Sequence, residues 1–260
     1  MLSHVRELFV WQDLLLNWIK REFRVRYSQS ILGIAWAILQ PLSLMIIMTV
    51  VFSVLLRIPT SDVPYPVFVY SGLLPWMFFA NSLSTAIPSI ADNFNLVSKV
   101  YFPREILPFS AIVVGFIDFL FASSVFVILL FLYRIPIGPS VLLLPIVIVI
   151  QFTLIFGLSL LAGAANVFYR DIRFVIPLVL QLIMYLSPIF YSTDIIPQEF
   201  LPFYFLNPMA AIIEAYRRIL IFNELPNWSY LGLASVVSVL ILFFSYRYFK
   251  KVERTFADLV

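Results

Sequence analysis

The chain has 260 residues, 62% of them hydrophobic and 12% charged, with a formal net charge of +3. Soluble domains carry about a quarter charged residues, so this composition excludes a water-soluble globule and makes lipid the solvent for the apolar surface. With no cysteine and a single histidine, His4, disulfides, thiolate chemistry and a zinc site are all disfavoured.

Residues 5–19 mix apolar and charged positions, with Leu8, Trp11, Leu15 and Trp18 at helical spacing. This pattern predicts an amphipathic helix in the membrane interface. Residues 1–26 are charged throughout and lack the apolar core of a signal peptide. Six apolar runs follow, at 31–56, 67–91, 106–133, 141–168, 174–191 and 229–249. About 20 helical residues cross a bilayer, so the sequence predicts an all-α membrane protein of six spans in a single transmembrane domain, 1–260. Residues 192–228 fit no span: Pro197, Pro202, Pro208 and Pro226 break them, and Asp194, Glu199, Glu214, Arg217, Arg218 and Glu224 charge them. Two short helices that enter and return from one side are expected there. The polar stretch 92–105 is expected to hold a short helix ending before Pro103.

Basic residues sit at the ends of the apolar runs, which fits membrane orientation better than nucleic-acid binding. With both termini in the cytoplasm, the inner side gains Arg6, Lys20, Arg21, Arg24, Arg26, Lys99, Arg104, Arg170, Arg173, Arg247, Lys250, Lys251 and Arg254. The outside keeps Arg57, Arg134, Arg217 and Arg218. The positive-inside rule favours this arrangement.

No P-loop pattern and no Gly-Lys dipeptide occurs, and neither H-E-x-x-H nor G-x-S-x-G is present. Asp118 is the one charge deep in a span. It either lines a polar path or relays protons, or fixes packing by bonding Ser123, Ser124 or a neighbouring helix; the absence of a second intramembrane charge favours packing. Ser159, Ala162 and Gly163 in the fourth run permit close helix contact.

Three stretches carry a family resemblance. The first is Tyr27-Ser-Gln-Ser-Ile-Leu-Gly-Ile-Ala-Trp36 with Gln40-Pro41-Leu42. The second is Gly72-Leu-Leu-Pro-Trp76-Met-Phe-Phe, leading to Leu96-Val-Ser-Lys-Val-Tyr-Phe-Pro-Arg104. The third is Asn166-Val-Phe-Tyr-Arg-Asp171, then Ser187-Pro-Ile-Phe-Tyr191 and Leu206-Asn-Pro208. In this order they resemble the membrane subunit of bacterial ABC exporters for polysaccharides such as O-antigen, capsule or teichoic acid. The resemblance spans nearly the whole chain.

It implies a homodimer in the bacterial inner membrane, paired with two copies of a cytoplasmic ATP-binding subunit that holds ATP and magnesium, and a lipid-linked glycan as cargo. This chain would have no cofactor, no nucleic-acid partner and no enzymatic activity of its own. Residues 92–105 would be the coupling helix, with Asn93, Phe94, Leu96, Lys99, Tyr101, Phe102 and Arg104 contacting the ATPase. The segment's length and mixed aromatic and basic character agree with an interface, and the amphipathic N-terminal helix would help make it. Residues 192–228 would form an external gate carrying Glu214, Arg217 and Arg218, an i,i+3 and i,i+4 set on one helix face. Arg170 and Asp171 would belong to the fold's conserved turn. Trp36, Trp76, Phe78, Phe79, Tyr185, Phe190 and Tyr191 would line the sugar path, although an interfacial aromatic belt accounts for such residues equally well. The residues alone leave open a drug or lipid exporter of the same architecture. A membrane-embedded lipid-modifying enzyme is disfavoured, because no cluster of catalytic groups is visible.

Overall fold

A computed structural model describes residues 11–28, 30–56, 63–100 and 102–258. Among them the fold is all-helical. Helix α1, Gln12–Tyr27, runs through the basic stretch beyond the expected 5–19; the part of that expectation before residue 11 lies outside the described residues. Helix α2, Ala35–Thr49, starts after a turn at Gly33 with φ +50°, a left-handed conformation that favours glycine. It continues as a wider π-turn, Val50–Leu55. Helix α3 is Tyr65–Ala86, followed by two short helices, α4 (Ser89–Asp92) and α5 (Phe94–Val97). Helix α6 is Ile106–Leu132, α7 is Leu144–Phe168 and α8 is Ile172–Tyr185. A single turn, α9 (Leu201–Tyr204), precedes α10 (Pro208–Leu220) and α11 (Trp228–Val252).

Five of these segments are long and apolar enough to cross a membrane: Ala35–Leu55, Tyr65–Asp92, Ile106–Leu132, Pro139–Phe168 and Trp228–Val252. The chain is therefore an integral membrane protein by composition and helix length. The expected fifth span at 174–191 takes a different form. Its helix has 14 residues, about 21 Å at 1.5 Å per residue, short of the ~30 Å hydrocarbon thickness. Ser187-Pro188 explains the stop, since proline lacks the N–H a helix needs and disfavours helical geometry at the residue before it. Residues 186–191 continue without helix.

Helix α3 is the hub. Most of it is buried, and α2, α6, α7, α8 and α10 pack around it. Helix α7 pairs closely with α11 at Gly157, where an added Cβ would lie 2.8 Å from Leu242 N and 2.9 Å from its Cα. Of the expected small-residue contacts, Ser159 and Gly163 are buried and Ala162 is half-buried; Gly157 makes the tighter approach.

Side-chain contacts sort the loops into two ends. At one end α1, the 92–105 segment, the end of α7 and the C-terminal turn meet: Trp18 stacks on Phe102 at 6.4 Å, and Phe168 approaches Phe256 at 5.9 Å. At the other end Tyr65 Oη donates to Phe190 O at 3.1 Å, and Ser140 Oγ donates to Asn223 Oδ1 at 2.7 Å. The segment 172–191 thus runs from the first end to the second. Residues 192–223 begin and end at the second.

Candidate functional site

The first end is organised around an apolar cluster of Trp18, Val97, Phe102, Ile106, Leu107, Phe249 and Phe256. This cluster decides which of the 92–104 residues face outward. Phe102 is only 4% exposed and stacks inside the cluster. Arg104 also turns inward: its guanidinium donates to Glu253 O and Val97 O, and it sits 5.6 Å over the Phe256 ring. Lys250 Nζ bridges Glu105 and Glu253, at 2.8 and 2.9 Å. The C-terminal turn therefore clamps the start of α6. Leu96 packs against the cluster. Asn93 accepts from Arg21 at 3.1 Å and donates to Ser89 O at 2.8 Å, joining the segment to α1. Phe94 and Lys99 remain towards the surface. Phe94 lines a cleft of about 340 Å³ with Asp92, Asn95, Asn166, Arg170 and Arg173; Lys99 is exposed. Tyr101 lies outside the described residues.

Asp118 is midway along α6, and its partners come from α1. Arg26 Nη1 donates to Asp118 Oδ2 and Tyr27 Oη donates to Oδ1, both at 2.5 Å. Burial, and then the adjacent carboxylate, push the Tyr27 phenol above its usual range, so it stays a proton donor. Ser123 and Ser124 bond backbone carbonyls of α6 instead. Asp118 therefore bonds a neighbouring helix, α1, and not Ser123 or Ser124, and it also borders a cavity. The paired charges form the wall of a cavity of about 360 Å³ between α1, α2, α3 and α6. Trp36, Gln40, Phe78, Asn81, Ser84 and Thr85 are among the other residues lining it.

A protein-family model described as ABC-2 type transporter matches residues 14–221, which takes in α1, the hub, the 92–105 segment and α10. The chain belongs to the ABC-2 type transporter family. An O-antigen export system permease protein, RfbA, of Myxococcus xanthus is 31% identical over 261 residues, covering 99% of both chains. A permease of the same name from Klebsiella pneumoniae is 30% identical over 249 residues, 95% of both. The polysialic acid transport protein KpsM of Escherichia coli is 22% identical over 235 residues, 87% of this chain and 90% of that one.

In this ABC-2 type chain the aromatic residues expected on a path separate into three groups. Trp36 and Phe78 border the cavity, Trp36 with half its surface exposed and Phe78 only 2% exposed. Trp76, Phe79 and Phe190 are buried within the protomer, Phe190 stacked on Phe52 at 6.1 Å. Tyr185 is exposed near Tyr191, whose hydroxyl reaches Tyr185 O at 3.2 Å and Tyr204 Oη at 3.1 Å.

The charges of α10 do not form one continuous set. Glu214 lies 3.5 Å from Arg217, as i,i+3 spacing allows. Arg218 turns to Glu224 at 2.8 Å instead of Glu214. The reason is local: Asn223 takes φ +53°, ending the helix and folding Glu224 back. Arg217 is 2% exposed; its Nη2 donates to Pro188 O at 2.7 Å, and its guanidinium lies 3.8 Å over the Phe68 ring. It fastens α10 both to α3 and to the chain after α8, using the carbonyls that Pro188 leaves outside a helix.

Proposed function

We propose that this chain is the membrane subunit of an ATP-driven exporter that moves lipid-linked polysaccharide across the bacterial inner membrane. The observation that carries the proposal is likeness along the full length to permeases named for O-antigen export. The chain works as a homodimer of six-span subunits with both termini in the cytoplasm, together with two copies of a separate ATP-binding subunit. The geometry supports a sixth crossing because 172–191 runs from one end of the molecule to the other, helix first and irregular chain after. It supports re-entry because Tyr216 of α10 meets Phe119, midway along α6, at 6.2 Å while both ends of the segment stay at one end of the fold.

The uncovered faces of α2 and α8 support dimerisation around a canal. Helix α2 exposes Trp36, Ile46, Ile47 and Val50; α8 exposes Phe174, Leu178, Leu182 and Tyr185. A two-fold pair encloses a polymer-wide path that one small bundle does not. ATP binding closes the nucleotide subunits, and the motion enters through Phe94 and Lys99 on the 92–104 segment. The clamp of Arg104, Glu105, Lys250 and Glu253 then carries it rigidly to α6 and α11. Outward, α10 and the Arg217 fastening act as the gate, with Glu214 and Arg218 beside it.

Co-expression with an ABC-type ATPase tests this. A stable complex with two copies of each subunit, whose ATP hydrolysis responds to lipid-linked glycan, is expected. A purified chain that binds no such ATPase contradicts the proposal.

A further inference from the structure

Helix α1 carries the basic side chains Lys20, Arg21, Arg24 and Arg26, and their partners divide them. Arg21 lies over the Trp18 ring at 4.4 Å and donates to Asn93, while Arg26 pairs with Asp118. Lys20 and Arg24 are exposed, and neither side chain has a partner among the described residues. Both border a cleft of about 700 Å³ between α1, the start of α2 and α6.

The lining of that cleft is divided in two. Along α1, Ile19, Phe23 and Tyr27 recur at every fourth position and are half-buried, with the last two in ring contact at 5.1 Å. The neighbouring row, Lys20, Arg24 and Ser28, is exposed. Residues four apart share a helix face, so α1 presents an apolar stripe and a cationic edge side by side. The opposite wall is apolar. It consists of Ile117 and Phe121 near the middle of α6, and Ile34 just after the left-handed turn at Gly33. Helices α2 and α6 belong to spans, so this wall lies at membrane depth. Trp18, two residues before Lys20, instead meets Phe102 at the end of the fold.

A cationic edge beside an apolar slot that leads into a span matches an amphiphile with an anionic head and a hydrocarbon chain. Unpaired cations next to hydrocarbon are costly, and lipid phosphates relieve them. Neighbouring acids do not compete: Glu22 lies 3.8 Å from Arg21, and Asp118 is taken by Arg26. A zwitterionic head would bring its own ammonium to the two cations, which favours a lipid with net negative charge. The cleft volume falls within the roughly 300–1,000 Å³ usual for ligand pockets.

We propose that this cleft binds one anionic phospholipid of the surrounding bilayer. Lys20 and Arg24 hold its phosphodiester, and an acyl chain lies between the Ile19–Phe23–Tyr27 stripe and the α6 wall. The lipid completes the packing of α1 against α6. It thereby steadies the contacts of α1 with the 92–104 segment, Arg21 on Asn93 and Trp18 on Phe102. The site holds whatever the cargo of the transporter.

Native mass spectrometry and thermal melts of the chain in nanodiscs test it. The probes are dioleoylphosphatidylglycerol, dioleoylphosphatidylcholine and undecaprenyl monophosphate. Wild type is expected to retain phosphatidylglycerol about tenfold over phosphatidylcholine, as two basic contacts allow, and to melt higher in its presence. Lys20→Gln/Arg24→Gln should abolish both effects yet melt as wild type in pure phosphatidylcholine, because the two side chains fasten nothing within the chain. Ile117→Trp, which fills the slot and keeps both cations, should also lower retention. Arg247→Gln/Lys251→Gln removes the same charge from exposed positions of α11 at the same end of the fold and should leave retention unchanged. Equal retention by wild type and Lys20→Gln/Arg24→Gln, or an equal fall in the α11 variant, overturns the proposal. So does displacement of phosphatidylglycerol by equimolar undecaprenyl monophosphate, which would assign the cleft to a carrier lipid.

Discussion

Replacing Arg217 with methionine should destabilise the fold by about 3 kcal/mol. The side chain is 2% exposed and donates to Pro188 O at 2.7 Å and more weakly to Ile189 O at 3.4 Å. Each buried acceptor left without a donor costs about 1–3 kcal/mol. Loss of the guanidinium over Phe68 at 3.8 Å removes up to about 2 kcal/mol when desolvated. Against this, Arg217 Nε and Nη1 are themselves buried without hydrogen-bond partners, and methionine relieves that cost while filling much of the space. The balance falls near the low end of the 3–5 kcal/mol seen when one member of a buried ion pair is removed. The double variant Glu214→Gln/Arg217→Met should recover about 1 kcal/mol or more, because it no longer leaves Glu214 unpaired. Arg217→Lys should be nearly as damaging as methionine, since an ammonium does not reproduce the planar fork. Denaturant unfolding in mixed micelles, followed by tryptophan fluorescence, measures all three. Arg218→Met is the comparison: its partner Glu224 is more than half exposed, so a change of at most about 0.5 kcal/mol is expected. Equal losses at 217 and 218 would refute the buried-staple reading.

Asp118→Asn removes one charge-assisted acceptor from Arg26 and Tyr27, so amide exchange over Gln12–Tyr27 should quicken about tenfold while α6 stays protected. Gly157→Ala should cost about 1–3 kcal/mol by forcing α7 from the Leu242 backbone. Gly232→Ala, which meets nothing within 4 Å, should be neutral or stabilise by about 0.5–1 kcal/mol; thermal melts of both check this. Phe94→Ala/Lys99→Glu should weaken ATPase pull-down without lowering the melting temperature, whereas Phe102→Ala should lower it, by loss of about 3 kcal/mol of buried ring.

Spans were legible where length and apolarity alone decide, as at Ile106–Leu132, which falls one residue short of its expected bounds. In the fifth run hydropathy continues past Ser187-Pro188, whereas the helix stops at Tyr185. Helix α1 extends further than expected because Arg21, Arg24 and Arg26 read as a polar boundary, whereas Arg21 lies over Trp18 of the same helix and Arg26 pairs with Asp118 of α6. Facing was the main thing one sequence withheld. Phe94 and Phe102 look equivalent in the segment, yet only Phe102 meets Trp18 from a helix some 80 residues away. Asp118 stood out as a lone charge, but its partners are 91 and 92 positions distant, beyond any local pattern.

The central claim is that this ABC-2 type chain exports a lipid-linked glycan. Deleting its gene in the native host and measuring surface polysaccharide alongside lipid-linked glycan in the inner membrane tests it most directly. Loss of surface glycan with accumulation of the lipid-linked form, both restored by the intact gene, is expected. Unchanged surface glycan and no accumulation would contradict it.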